Sequence, residues 1–353
     1  MRGKSRFISL VIVTSMLVLT GMLMPTAAFA GGSIEVLLDG LSGPKGLALA
    51  PNGNVVVSQG AFSPPGSILE YVTRGADKGS AIELSPPIDT LELAIGSSGG
   101  WRIDMQQTVH NRPPGAEHGA PVADIGEYQQ TDPDPFDLEG EPTESNPYGL
   151  AILPGGDALV ADAAGNDLLR VTPDGDITTV ARFDVEMVST DHLPSEFGPF
   201  PPELPAESVP TAVALGPDGW VYVGELKGFP FRPGSSKVWR VNPNAEDAVC
   251  SVTTEDDDCS IAYEGFTGIN DIDFHGSTLY VYEFAKDGLL AFEAGFETGE
   301  FPPAVLLEVK GNKITELAHG KLSQPGGVVV RNRGQVYVTD GLFSDGRLVL
   351  VHR

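Results

Sequence analysis

Five stretches of the chain close on an oxygen-bearing side chain at the same point of a repeated pattern: Gln59, Asp162, Glu225, Glu283 and Asp340. Each stands at the end of an apolar run. A hairpin returns that end to the start of the preceding run, where Asn146, Ser208, Asn270 and Asp271 stand. Convergent carboxylate and amide oxygens are hard ligands, suited to Ca²⁺ or Mg²⁺ rather than to zinc. Asp162, Glu225, Asn270 and Asp340 form the candidate metal set. The wider candidate ligand-binding face adds Asn146, Phe229, Asp271 and Glu283. The competing chemistry is local: a carboxylate at a strand end accepts backbone N–H bonds from the adjoining loop and fixes its turn. Glu225 is the foremost functional candidate, because it precedes a rigid apolar loop, 226–231, carrying Phe229 and Phe231. Those rings either face a ligand or pack onto the structure beneath.

Other constellations are weaker. The histidines, among them His110, His118, His192 and His319, show no H-x-x-x-H or H-E-x-x-H spacing. No G-x-S-x-G elbow is present. Asp256, Asp257 and Asp258 lack the glycine and terminal glutamate of an EF-hand loop. His110 and His118 either line a mouth or sit on a surface loop. No catalytic residue is assigned. Cys250 and Cys259 are too far apart for a C-x-x-C redox pair and read as a disulfide. Closing so short a loop contributes roughly 2.5–3 kcal/mol on the chain-entropy model.

The chain begins with Arg2, Lys4 and Arg6, an apolar run over 7–24, Pro25 and an A-x-A pattern at Ala28 and Ala30. That is the layout of a secretory signal peptide, 1–30, cleaved near Ala30, with 31–353 as the mature chain. The protein is expected to be secreted, extracellular or periplasmic, without membrane insertion. A net charge of −26 repels phosphate backbones and argues against nucleic-acid binding. The acidity is not that of a disordered chain, because 41% of the residues are hydrophobic. With 43 glycines and 29 prolines, many turns and short strands are expected.

The elements that must position the oxygens are repeats. Residues 43–60 read GPKGLALAPNGNVVVSQG, 146–163 NPYGLAILPGGDALVADA, 209–226 VPTAVALGPDGWVYVGEL, 268–284 GINDIDFHGSTLYVYEF and 324–341 QPGGVVVRNRGQVYVTDG. Each holds two short apolar strands around a turn, at 51–53, 154–156, 217–219, 275–276 and 332–334. Third strands are expected at 67–71, 168–171, 237–241, 288–292 and 347–351, and a fourth at 176–180. Four antiparallel strands per repeat define a β-propeller. Pro44 to Pro147 is nearly twice the spacing of the later repeats, which leaves room for a degenerate unit over 96–128. Six blades follow, with seven as the second reading. The last unit lacks an outer strand, and 34–38 can supply it, so that pairing of the chain ends closes the ring. The fold is all-β, one propeller domain, and no convincing helix is read. Two acidic or proline-rich inserts, 128–145 and 191–205, form solvated connections or a rim over one face.

The stretch 207–231, ESVPTAVALGPDGWVYVGELKGFPF, resembles the hallmark segment of the ScyD/ScyE family. Residues 145–150 with 161–166 resemble a second block, and 43–47 the first blade, whereas 85–144 matches poorly. The resemblance implies an exported NHL-like β-propeller and supplies no catalytic residue. The function expected is binding of a small molecule or extracellular partner on the carboxylate-lined face, by a monomer. The alternative is a metal-dependent lactonase- or lyase-like enzyme with a cation at the channel mouth, held by Asp162, Glu225, Asn270 and Asp340 and acting as a Lewis acid.

Overall fold

The computed structural model describes residues 28–29, 32–62, 66–97, 99–116, 118–331 and 334–353. Nearly all of the expected signal peptide and most of the 332–334 turn lie outside the described residues. Six antiparallel sheets stand round one axis as blades. From the inside outwards, blade 1 is Leu47–Leu49, Val55–Gln59, Ser67–Tyr71 and Ala81–Glu83, and blade 2 is Glu92–Gly96, Gly99–Ile103, Thr108–Arg112 and Ala120–Asp124. Blade 3 is Pro147–Ile152, Ala158–Asp162, Asp167–Val171 and Ile177–Phe183, and blade 4 is Pro210–Leu215, Val221–Glu225, Ser236–Val241 and Cys259–Phe266. Blade 5 is Ile269–His275, Thr278–Glu283, Val305–Lys310 and Lys313–Leu317. Blade 6 is Pro325–Arg331, Gln335–Asp340 and Asp345–His352, completed on its outer edge by Ser33–Ser42 from the other end of the chain. That pairing closes the ring, so the propeller has six blades and joined ends. The degenerate unit is blade 2.

The blades form because each strand buries its apolar residues against the next sheet. Leu159, Ala161 and Leu168 of blade 3 pack on Val213, Val223 and Trp239 of blade 4. Tyr280, Tyr282 and Leu306 of blade 5 pack on Val328, Val336 and Val349 of blade 6. Removing one such side chain costs about 2–5 kcal/mol.

One expected strand is corrected. Residues 288–292 begin the helix Leu289–Thr298, inserted between the second and third strands of blade 5, whose third strand is Val305–Lys310. The buried positions Leu289, Phe292 and Gly295 repeat every three residues, and Gly299 takes a left-handed conformation and donates to Gly295 O. The apolar run was strand-like only by composition. A second, five-residue helix, Ile125–Gln129, is capped by the Asp124 side chain.

Topology gives the ring two unlike ends. The tight turns within blades, such as 154–156, lie at one end, the turn face. Connections from second to third strands, and from one blade to the next, lie at the other, the loop face. Both inserts are therefore on the loop face. Insert 128–145 docks on blade 3 through Asp132–Arg182, at 2.5 Å, and Asn166–Asp134, at 2.9 Å. The other, 191–205, forms the tip of a hairpin, Glu186–Ser189 with Glu203–Ala206, whose Glu186 meets Lys227 at 2.9 Å and also pairs with Lys237.

Candidate functional site

The five strand-closing side chains do lie at the loop face, each beside the start of its own blade. Their oxygens point into the fold. Gln59 Oε1 accepts from Ser42 N at 3.0 Å. Asp162 accepts from Asn146 N at 2.6 Å, Ser145 Oγ at 2.7 Å and Gly165 N at 3.2 Å. Glu225 Oε2 accepts from Ser208 Oγ at 2.6 Å and Trp239 Nε1 at 3.0 Å. Glu283 accepts from Thr267 N at 2.8 Å, and Asp340 from Ser323 N at 2.6 Å. One device recurs: the end of the second strand latches the residue that leads into the first.

Burial raises the Asp162 and Asp340 carboxyls, against the pull of their hydrogen bonds, and lifts Glu283 to about 8. Asp340 also holds Arg347, whose Nε and Nη2 donate to Oδ2 at 2.8 and 2.7 Å. Glu225, fully buried, has its other oxygen 3.3 Å from Lys227 Nζ and 3.9 Å from Lys237 Nζ. Burial opposes the Lys227 charge, but Glu225 and Glu186 outweigh it and its pKa is raised.

Of the expected metal set, Asp162, Glu225 and Asp340 thus serve three separate blades. Asn270 is engaged on both sides of its amide: Oδ1 accepts from the Tyr148 hydroxyl, and Nδ2 donates to Pro325 O, at 3.0 Å, and to Gly326 O. This donor set does not fit one cation: its oxygens already face cations or hydrogen-bond donors. Among the described residues no three His, Cys, Asp or Glu side chains are grouped for a metal ion.

The axis itself is held by residues that the repeats did not single out. Lys45 of the first repeat lies 2.5 Å from Glu92 Oε2 of blade 2, donates to Tyr148 O of blade 3 at 3.0 Å, and stands 3.9 Å above the Tyr148 ring. Tyr148 reaches Asn270 of blade 5, and Thr211 of blade 4 donates to Ile269 O at 2.6 Å. Gly46 makes the approach possible, since a Cβ there would lie 2.6 Å from Ser58 Oγ and 2.8 Å from Glu92 Oε1. Ala61, Leu91, Ala163 and Leu342 pack with Tyr148. The innermost strands of all six blades line a cavity of about 310 Å³. In it Asp271 accepts from Val328 N at 2.7 Å and Asp273 from Val330 N at 2.6 Å, tying blade 5 to blade 6. Burial raises Asp271 to about 8, with Glu92 adding to it, and Asp273 to about 7. The signal that could have found this core was the lysine in GPKGL, a charge opening an apolar strand.

What the loop face shows to solvent is phenylalanine. Phe229 is 42% exposed, Phe62 41% and Phe296 57%. Their rings are linked: Phe62 stacks on Phe343 at 5.0 Å, Phe343 meets Phe296 at 5.2 Å, and Phe229 joins Phe200 at 5.9 Å and Phe231 at 5.8 Å. Phe231 and Phe343 also pack on the cluster of Phe284, Leu289 and Phe292. Of the candidate residues, Asn146 is exposed and Phe229 half exposed on this face, while the carboxylates are internal. His110 sits neither on a surface loop nor at the channel mouth. It is buried on the third strand of blade 2, with Nε2 2.7 Å from Asp104.

The fold defines the class, a six-bladed β-propeller protein. Its structure is similar to that of a streptogramin B lyase, at TM-score 0.51 and 14% identity over 93% of this chain and 99% of the other. A gluconolactonase from Xanthomonas campestris aligns at TM-score 0.55 and 11% identity, over 92% and 91% of the two chains. The PQQ-bound aldose sugar dehydrogenase from Streptomyces coelicolor aligns at 0.52 and 14%, over 92% and 99%. These identities carry the fold alone. No family model matches the sequence, and no curated protein matches it. The Cys250–Cys259 disulfide belongs to an oxidising environment. Among the described residues no helix is long and apolar enough to cross a membrane.

Proposed function

We propose that the protein is an exported binding propeller that captures an extracellular peptide or protein on the loop face, without chemistry of its own. The observation that carries this reading is the pair of partly exposed phenylalanine groups on the loop face, Phe62 with Phe343 and Phe296, and Phe229 with Phe200 and Phe231, which meet through the cluster of Phe284, Leu289 and Phe292 beneath them. Apolar surface of that kind, rimmed by polar residues, marks interaction sites. Aromatic side chains also dominate interface energetics. A net charge of −26 around it favours a partner with basic residues beside its apolar ones. The resemblance of 207–231 to the ScyD/ScyE family supports export, as does the layout of residues 1–30. The lactonase- or lyase-like alternative needs a cation on Asp162, Glu225, Asn270 and Asp340, whose polar atoms are already engaged within single blades or, for Asn270, between blades.

The test is to pan a displayed peptide library against the mature protein and against its Phe229→Asp/Phe296→Asp variant. Enriched sequences that pair aromatic or aliphatic residues with lysine or arginine, and that the variant fails to retain, are expected. Equal retention by the variant would sink the proposal.

A further inference from the structure

The segment that matches the repeat pattern worst encloses a cavity. Between the outer strands of blade 1 and the sheet of blade 2 lies a space of about 140 Å³. Ile68, Leu84 and Ile88 wall it from one side, and Leu93 and Ile95 from the other. An apolar cavity of this volume accommodates one benzene-sized group. Its polar side chains are Ser85, Arg102, His110, Arg112 and His118, and among the described residues no carboxylate lines it.

The two arginines differ in their commitments. Arg102 donates to Asp89 O and to His110 Nδ1, both at 3.0 Å, and His110 Nε2 faces Asp104 at 2.7 Å. That chain seats the His110 ring between a guanidinium and a carboxylate. Arg112 is half-buried, and among the described residues no ion pair or side-chain hydrogen bond engages its guanidinium. It lies over Gly100 of the neighbouring strand. A half-buried guanidinium without a counter-charge, at an apolar cavity in a chain of net charge −26, is complementary to an anion.

We infer that the seam between blades 1 and 2 is a binding site for a small carboxylate with a single aromatic ring or a short branched chain. Its apolar body fills the cavity between Ile68 and Ile95, and its carboxylate pairs with Arg112. This site is separate from the phenylalanine face, so either reading can fail while the other stands.

Benzoate titrated into ¹⁵N-labelled mature protein tests it, with benzyl alcohol and benzylamine as neutral and cationic probes of similar size. Benzoate is expected to bind saturably, shifting the backbone amides of Ile95, Gly100 and Arg112, which line the cavity. Benzyl alcohol should bind at least about tenfold more weakly, because it forgoes the charged pair, and benzylamine more weakly still. Arg112→Gln should lower benzoate affinity by about tenfold or more, leave benzyl alcohol affinity unchanged, and be partly rescued by Arg112→Lys. Leu84→Phe, which fills the space, should abolish binding of both. No saturable response to benzoate in the wild type, or benzoate affinity untouched in Arg112→Gln, would overturn the site. Equal loss of both probes in Arg112→Gln would show damage to the cavity and would also overturn the assigned role.

Discussion

The Tyr148 hydroxyl donates to Asn270 Oδ1 across 2.8 Å and joins blade 3 to blade 5. Both residues are buried, and the amide spends its other end on carbonyls of blade 6. Tyr148→Phe therefore removes a donor and strands a buried acceptor, which costs about 1–3 kcal/mol. Urea unfolding should show that loss at an unchanged m-value. Asn270→Ala combined with Tyr148→Phe should be less damaging than the sum of the two single changes, because the orphaned acceptor is gone.

Glu225 tests the fate of the repeated carboxylates. It faces Lys227 at 3.3 Å and Lys237 at 3.9 Å, and all three are buried. Glu225→Gln keeps the shape and removes the charge, leaving two lysines with Glu186 alone. Breaking a buried pair in this way costs about 3–5 kcal/mol. The wild-type melting curve should be the same in calcium and in EDTA, since these oxygens are already occupied. A saturable calcium shift lost in Glu225→Gln would restore the cation reading.

Glu283 supplies the pH test. Burial lifts its carboxyl to about 8, from an ordinary value of 4.5. Between those pH values the folded protein holds a proton that the unfolded chain has released. Stability therefore falls as pH rises through this window. Glu283→Gln keeps a carbonyl acceptor for Thr267 N, which donates at 2.8 Å, and cannot ionise. Its melting temperature should match the wild type near pH 4 and exceed it by a few degrees, roughly 2–4 °C, at pH 8. Parallel pH profiles for the two proteins would contradict the assignment.

The propeller was legible because its evidence is periodic. The paired strands around turns such as 217–219 repeat, and the chain ends leave one strand wanting. The helix at Leu289–Thr298 was not, since an apolar run of five residues has the same composition in either conformation. The latching role of Asp162, Glu225, Glu283 and Asp340 stood in the sequence only as one of two chemistries. Strand-end position says where a carboxylate is, not whether it faces solvent. Lys45, Glu92 and Tyr148 were missed for another reason. They meet across three blades, and no spacing within one repeat records a contact between repeats.

The disulfide, expected to close a short loop, also joins two blades. Ala248–Cys250 runs parallel to the outer strand of blade 3, pairing Phe183 with Cys250, while Cys259 opens the outer strand of blade 4. Its loss should be felt along that seam. Replacing both cysteines by alanine should lower stability by about 2–3 kcal/mol through the unfolded chain. A second effect, in the folded state, separates a seam from a turn. Without the bond, the short parallel strand is held to blade 3 by its ladder and by Arg182, whose Nε donates to Asp247 at 2.9 Å. Amide exchange should then accelerate at 181–183 and 248–250, while blades 1, 5 and 6 keep their protection. Exchange unchanged at 181–183 would confine the disulfide to its own turn.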